Sequence, residues 1–285
     1  MIEGQEKLPI TVLIQTKNEE TGIRACVLGL GDFAEVIVVD SDSSDQTKEI
    51  ASELGANVVN FSWNGAYPKK KQWQLNHVNT AHEWVLFMDA DEMPTPELVQ
   101  ELRAKLPALS SSTVAAVDIP LSYVFAGRML RHGHRVVKRA LVRRGRVRFP
   151  VVNDLDAPGM GELEGHYQPE VDGEIAVTKS RILHHDLDPV RTWFDRHNKY
   201  SDWEAYLRTS PNAKGTVGLL RSRQGQLFDH LPGKPLVFFL YSYVLRGGFL
   251  DGRAGLDYAL ALSAYYWQIG LKTRERLRDG LVDSR

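Results

Sequence analysis

A chain of 285 residues, 43% of them apolar, can bury a complete core as one large domain with an appendage. A formal net charge of −1 gives it no general affinity for polyanions, and an acidic first half without a recognition motif argues against nucleic acid as a partner. The single cysteine, Cys26, excludes an internal disulfide and suits a reducing cytoplasm.

Residues 1–7 hold no apolar stretch, so no signal peptide is expected. Residues 10–14, ITVLI, are short, apolar and β-branched and read as a strand that runs into the polar segment QTKNEE. Residues 21–30 read as a helix with Cys26 on its buried face. Residues 36–39, VIVV, form a second strand ending in Asp40-Ser41-Asp42-Ser43-Ser44-Asp45, and 45–54 a second helix with Asp45 as its N-cap. A third apolar run, WVLFM at 84–88, ends in Asp89-Ala90-Asp91. Strand and helix in alternation imply right-handed crossovers and a parallel sheet, which gathers the three polar clusters on one edge. That edge, the carboxyl end of the strands, is where open α/β sheets place their ligands. Two hard oxygen donors as close as Asp89 and Asp91 suit Mg2+ or Mn2+ held against phosphate oxygens. Taken alone, the tripeptide also describes a solvated loop. Asp40 and Asp42 are placed to accept hydrogen bonds from a base or a ribose. Neither GxxxxGK[ST] nor GxGxxG occurs in this half, which argues against P-loop and dinucleotide-binding sites.

The second half carries different signals. From 128 to 148 there are nine Lys or Arg and no acid, a stretch that reads as a half-exposed strand or short helix attractive to a phosphorylated acceptor, a diphosphate or an anionic membrane. Lys69-Lys70-Lys71 is expected to meet phosphate in the same way. Residues 159–165, GMGELEG, read as a flexible loop, and His184 and His185 close a short strand beginning at Arg181. Residues 235–245 and 256–271 are two apolar, aromatic-rich segments around a turn at 246–253. Neither reaches the roughly 20 apolar residues a bilayer span requires. With Lys272, Arg274, Arg276 and Arg278 behind them, they read as a helical hairpin lying in a membrane interface, or as a pair packed on the rest of the chain.

Three segments, Thr16-Lys17-Asn18-Glu19-Glu20, residues 38–47 (VVDSDSSDQT) and residues 86–92 (LFMDADE), resemble the opening motifs of glycosyltransferase family 2. Downstream, Leu183-His184-His185, residues 197–201 (HNKYS) and residues 248–253 (GFLDGR) are similar to the branch containing lipopolysaccharide-core β-1,4-glucosyltransferases. The resemblance extends from about residue 10 to 271. It implies an α/β GT-A fold, a Rossmann-like, mostly parallel sheet flanked by helices, over 8–207, with the nucleotide-sugar half ending near 110. A helical, membrane-associated extension would occupy 208–285. It departs at Lys71-Gln72, where the branch has a basic residue followed by Asn, and at Glu164-Gly165-His166-Tyr167, where it has a His-Glu pair.

The resemblance further implies a metal-dependent enzyme that inverts the anomeric centre of a nucleoside-diphosphate sugar, with UDP-glucose the first choice. The expected acceptor is a lipid-anchored saccharide such as lipopolysaccharide core, reached from an anionic membrane surface at the cytoplasmic face of the inner membrane. Donor contacts fall to Thr16, Asn18, Glu19, Asp40, Asp42, Lys71 and Asp89, and the metal to Asp91, Asp89 and His184. Inversion needs a base for the acceptor hydroxyl. The candidates are Glu164 first and Glu162 second, then Asp154 and His166. A polyprenyl-phosphate glycosyltransferase, a silent sugar-nucleotide-binding or scaffold protein, and a nucleotidyltransferase releasing pyrophosphate are the alternatives.

Overall fold

The structure, a computed structural model, describes residues 6–165, 167–186, 188–211, 213 and 223–283. In chain order the first half is β1 (Leu8–Thr16), α1 (Ile23–Leu28), β2 (Phe33–Asp40), α2 (Thr47–Glu53), β3 (Asn57–Asn60), α3 (Lys70–His77), β4 (Trp84–Asp89), β5 (Glu92–Pro94) and α4 (Pro96–Ser110). Then come β6 (Val114–Phe125), β7 (Arg128–Met129), β8 (Val137–Arg143), β9 (Val147–Arg148), β10 (Glu170–Val171), β11 (Glu174–Val177) and β12 (Ile182–His185). Helices α5 (Val190–Thr209), α6 (Arg223–His230) and α7 (Lys234–Phe239) follow, the last continuing as a π-helical turn, Leu240–Leu245. A 3-10 turn, Gly248–Asp251, leads into α8 (Gly252–Asp283).

The main sheet runs β3-β2-β1-β4-β8-β6-β12-β5. Its first four strands are parallel, β8 is antiparallel to both neighbours, and β5 pairs antiparallel with β12. Central strands read as unbroken apolar runs because helices cover both faces. In β1, Ile10, Val12 and Ile14 join a cluster with Ile23, Ala51, Leu98 and Leu102. Leu13 joins Ile37, Phe87, Leu75 and Phe149 on the opposite face. β4 divides in the same way, Leu86 and Met88 to the first side and Val85 and Phe87 to the second. This is the mostly parallel, helix-flanked architecture the sequence implied, and the three polar strand ends share one edge.

Two helix boundaries differ from the expectation. α1 begins at Ile23 and α2 at Thr47, with Gln46 in the cap position. Asp45 still satisfies the N–H of Thr47, at 3.1 Å. Its other oxygen accepts from the Glu20 N–H at 3.2 Å, so the carboxylate ties two loops instead of starting the helix. Cys26 lies on the buried face of α1 as read.

The C-terminal helices pack on the sheet's extension. Phe125, Leu130 and Trp193 share a buried cluster with Phe238, Ala254, Tyr258, Ala261 and Leu262. The basic end of α8 also engages α5: Lys272 Nζ lies 2.6 Å from Asp202 and donates to the Asn198 carbonyl at 2.9 Å, and Arg276 stacks over Tyr206. Among the described residues, no helix is long and apolar enough to cross a membrane.

Candidate functional site

The ends of β1 and β2 are stitched together by short polar side chains. Asp40 is fully buried. Its carboxylate accepts from Thr16 Oγ1 at 2.8 Å, Ser43 N at 2.8 Å and Ser43 Oγ at 2.6 Å. Asn18 and Asp42 both adopt positive φ, 57° and 53°, which lets each loop turn back on the other. Asn18 Oδ1 accepts from the Ser44 N–H at 2.9 Å, and its own N–H donates to Ser43 Oγ at 2.8 Å. Thr16, Asn18 and Asp40 therefore shape the rim, while the Asp42 side chain is exposed on it.

At the end of β4, Asp89 is the half-open member of the pair, its side chain 45% exposed. Its Oδ2 accepts from Lys138 Nζ at 3.0 Å, and Lys138 also reaches Glu92 Oε2 at 2.5 Å. Burial would raise the Asp89 carboxyl, but Lys138 and Lys71 hold it well below the usual carboxylate range. Asp91 points elsewhere: its Oδ2 lies 3.4 Å from His184 Nε2. Burial lifts the Asp91 carboxyl to about 6, with His184 opposing the rise and Asp89 and Glu92 adding to it. Burial acts to lower the His184 imidazole, yet the carboxylates of Glu92 and Asp91 leave it raised. β12 brings this histidine to the site because it pairs with β5, His184 opposite Glu92, and the His185 N–H bonds the Asp91 carbonyl at 2.8 Å.

Among the described residues, no three His, Cys, Asp or Glu side chains are arranged to hold a metal ion by themselves. The expected trio breaks at Asp89, whose Oδ2 carries the Lys138 ammonium. Asp91 Oδ2 and His184 Nε2 still converge as an oxygen and nitrogen pair. Beside them, Gln15 Oε1 and His184 Nδ1 are buried without a hydrogen-bond partner. This suits Mg2+ or Mn2+, which take few protein donors and fill the remaining positions with phosphate oxygens and water.

The structure commits the expected bases to other contacts. The side chain of the cap residue Lys69 makes no capping bond, so the N-terminus of α3 takes its cap from the loop at 159–165. Lys70 N donates to the Glu162 carbonyl at 2.9 Å, and Lys71 N and Gln72 N donate to the two oxygens of Glu164, each at 2.9 Å. Glu164 is 5% exposed, both its oxygens are committed, and a carboxylate there also complements the helix dipole. Glu162 accepts from Ser41 Oγ and lies 3.7 Å from Lys70 Nζ. Asp154 is buried against Lys69, and His166 lies outside the described residues. Nor is the loop loose: the Trp203 ring comes within 2.4 Å of where a Cβ on Gly165 would stand. Lys69 and Lys70 are internal, whereas Lys71 lies near both Glu164 and Asp89. Glu164→Gln is therefore expected to lower stability by roughly 1 kcal/mol through a weakened cap. Turnover should stay within about tenfold of wild type, against the hundredfold or more that loss of a general base would cost. Chemical unfolding and steady-state rates on one preparation check both.

Residues without a sequence signal complete the edge. Lys138 stands three positions beyond the Leu86↔Leu141 pair of the antiparallel β4–β8 register, which carries it to Asp89. Arg196 of α5 holds Asp186, and holds Asp188 at 2.9 Å. Glu19 faces this acidic group, and its carboxyl is pushed up to about 7 by burial and then by Asp91 and Asp188. A carboxyl raised in the fold contributes stability below its unfolded value of about 4.3, and that contribution is lost as pH climbs through 7. In EDTA, Glu19→Gln should thus melt above wild type at pH 8 and gain much less at pH 5. A melting difference that does not change between the two pH values would refute the burial of a charged Glu19.

A family model described as "Glycosyl transferase family 2" matches residues 11–153. Along 86% of this chain and 80% of its own length, an uncharacterized glycosyltransferase of Rickettsia typhi is 25% identical. The lipopolysaccharide core biosynthesis glycosyltransferase LpsC of Rhizobium meliloti is 27% identical over 96% of this chain and 98% of its own length. Among solved structures, a mannosyltransferase from Pyrobaculum calidifontis in complex with GDP-Man and Mn2+ superposes with a TM-score of 0.46 at 15% identity, covering 94% of this chain and 87% of that one.

Proposed function

The chain belongs to glycosyltransferase family 2, and from that premise we propose that it is a metal-dependent, inverting enzyme that moves a sugar from a nucleoside-diphosphate donor, first UDP-glucose, to a lipid-anchored saccharide of the lipopolysaccharide-core kind. The observation that carries this reading is the convergence of Asp91 Oδ2 and His184 Nε2 at 3.4 Å on the carboxyl edge of the sheet, beside an ionised Asp89 and Lys71. The similarity to LpsC over nearly the whole of both chains supports the acceptor class. We place the catalytic unit in 8–207, the nucleotide half to about 110, and a membrane-apposed helical unit in 208–285, working peripherally at the cytoplasmic face of the inner membrane.

In this reading the rim of Asn18 and Asp42 receives the nucleoside, with Asp40 and Thr16 fixing its shape. Lys138 keeps Asp89 charged as a ribose or phosphate contact, and Lys71 balances diphosphate charge. A divalent ion bound by Asp91 and His184 would supply Lewis acidity to the departing nucleoside diphosphate. With Glu162 and Glu164 committed to Ser41, Lys70 and the α3 N-terminus, the acceptor proton goes to Glu19, whose carboxyl is raised to about 7.

A donor screen across UDP-, GDP- and dTDP-sugars with Mn2+, with and without a deacylated core oligosaccharide, tests the proposal. Release of nucleoside diphosphate that rises with acceptor supports it. Release of pyrophosphate, or binding without turnover, would replace it with a nucleotidyltransferase or a silent binder.

A further inference from the structure

The face of the C-terminal unit turned away from its buried cluster carries more apolar surface than a soluble helix pair needs. Leu245 is 78% exposed, Leu250 61%, and Phe249 and Met129 about half. These belong to two segments that touch. Strand β7 carries Met129, and the helical stretch 240–251 carries the other three. The two are joined where the Gly133 N–H donates to the Arg246 carbonyl at 2.9 Å and where Asp251 accepts from the N–H groups of Arg131 and His132 and from His132 Nδ1. Single exposed leucines mean little, but a contiguous patch of this kind on a monomer marks an interaction surface.

Its charge says what covers it. Arg128, Arg131, Arg246 and Arg253 are all exposed around the patch. Between 126 and 136 the sequence has no acid, and between 231 and 256 only Asp251. Asp251 is 7% exposed with its oxygens already bonded, so it does not neutralise the surface. Asp257, an exposed acid, lies 3.8 Å from Arg253. A cavity of about 450 Å³ opens between the two segments, lined by Arg128, Arg131 and His132, by Met129, Leu250 and Ala254, and by the already bonded Asp251. Two arginines beside apolar side chains fit a phosphate headgroup with its chains. The surface is also tied to the candidate site: Tyr123 of β6 lies 4.7 Å from the His184 ring and contacts Tyr258 of α8.

We infer that this face, β7 and the residues after it at 128–131 with the turn at 245–253, docks on an anionic phospholipid bilayer and sets the Asp91/His184 edge toward the membrane. The inference rests on the reading of a lipid-anchored acceptor. It moves membrane contact away from the basic end of α8, where Lys272 and Arg276 hold α5. Apolar insertion and headgroup attraction act together in such docking, and the second is screened by salt.

The test is flotation of the full chain with vesicles of phosphatidylcholine alone or with added phosphatidylglycerol, alongside donor hydrolysis in solution. The expected result is binding that requires phosphatidylglycerol and weakens with salt. Each arginine near such a surface is worth about fivefold in affinity, so Arg128→Gln, Arg131→Gln and Arg246→Gln together should cost roughly a hundredfold. Leu245→Ser with Leu250→Ser should also abolish flotation, and both sets should keep the wild-type melting temperature because the side chains are exposed. Arg274→Gln should bind as wild type. Absence of binding, equal binding to neutral vesicles, loss through Arg274→Gln alone, or a dimer in sedimentation that Leu245→Ser dissolves would each overturn the inference. Hydrolysis that persists without vesicle binding overturns the docking face alone, whereas a chain without hydrolysis overturns the enzymatic reading whatever the vesicles show.

Discussion

Asp91→Ala is expected to reduce metal-dependent donor turnover by about a thousandfold or more, because it removes one of two converging protein donors and with it several kcal/mol of Lewis-acid stabilisation. Asp89→Ala should cost less. Its Oδ2 already faces Lys138, so its contribution is a positioned charge, not a place in an ion's inner sphere. Neither change should unfold the protein: Asp91 sits on the sheet edge, and burial already penalises its charged form. The measurement is hydrolysis of a UDP-sugar with Mn2+ and then EDTA, beside thermal melts. Wild type in EDTA and Asp91→Ala in Mn2+ should show the same residual rate. Full activity in Asp91→Ala would remove the metal site as drawn.

The largest expected effect on stability belongs to Asp154, a residue that composition alone presents as a loop carboxylate. Its side chain is completely buried, with Lys69 Nζ at 2.9 Å, itself 1% exposed. Trp203 Nε1 donates to it at 2.8 Å and the Tyr67 hydroxyl at 2.5 Å. Removing one member of a buried pair strands the other charge, at a cost of about 3–5 kcal/mol. Asp154→Ala should therefore lower the melting temperature by roughly 10 °C in a chain of this size. Lys69→Met combined with Asp154→Leu should recover much of that loss, since it leaves no uncompensated charge. An unchanged melting temperature with a rate down a hundredfold or more would instead return Asp154 to the list of candidate bases.

The sequence spoke most clearly where chemistry and local order coincide. Apolar β-branched runs ending in acids at 40 and at 89–91 identify central strands and the edge they share, because a parallel strand buried on both faces admits little but apolar side chains and releases polar ones at its end. His184 lies in a short apolar strand, but only the pairing of β12 with β5 brings it beside Asp91. Positions whose contacts the sequence did not reveal lie in irregular segments. Glu162 and Glu164 read as open carboxylates because nothing local reveals that a lysine-rich helix 90 residues earlier needs a cap, and Lys69 supplies none. The run at 128–148 gave a count of positive charges, not their directions. Lys138 turns in to Asp89 and Arg139 pairs with Asp118 at 2.9 Å, while Arg128 and Arg131 stay exposed.

What this chain's sequence determined by itself was the class of sheet, the edge where its polar strand ends gather and the type of side chains there, since each depends on residues adjacent in the chain. Tertiary structure decided which carboxylates remain open. Whether Asp89 faces a lysine, Glu164 a helix terminus or Asp154 a buried ammonium depends on partners 49 to 93 positions distant, brought within hydrogen-bond range only by strand register and helix packing. A carboxylate at such a site is spent or available according to the donors that the fold sets against it.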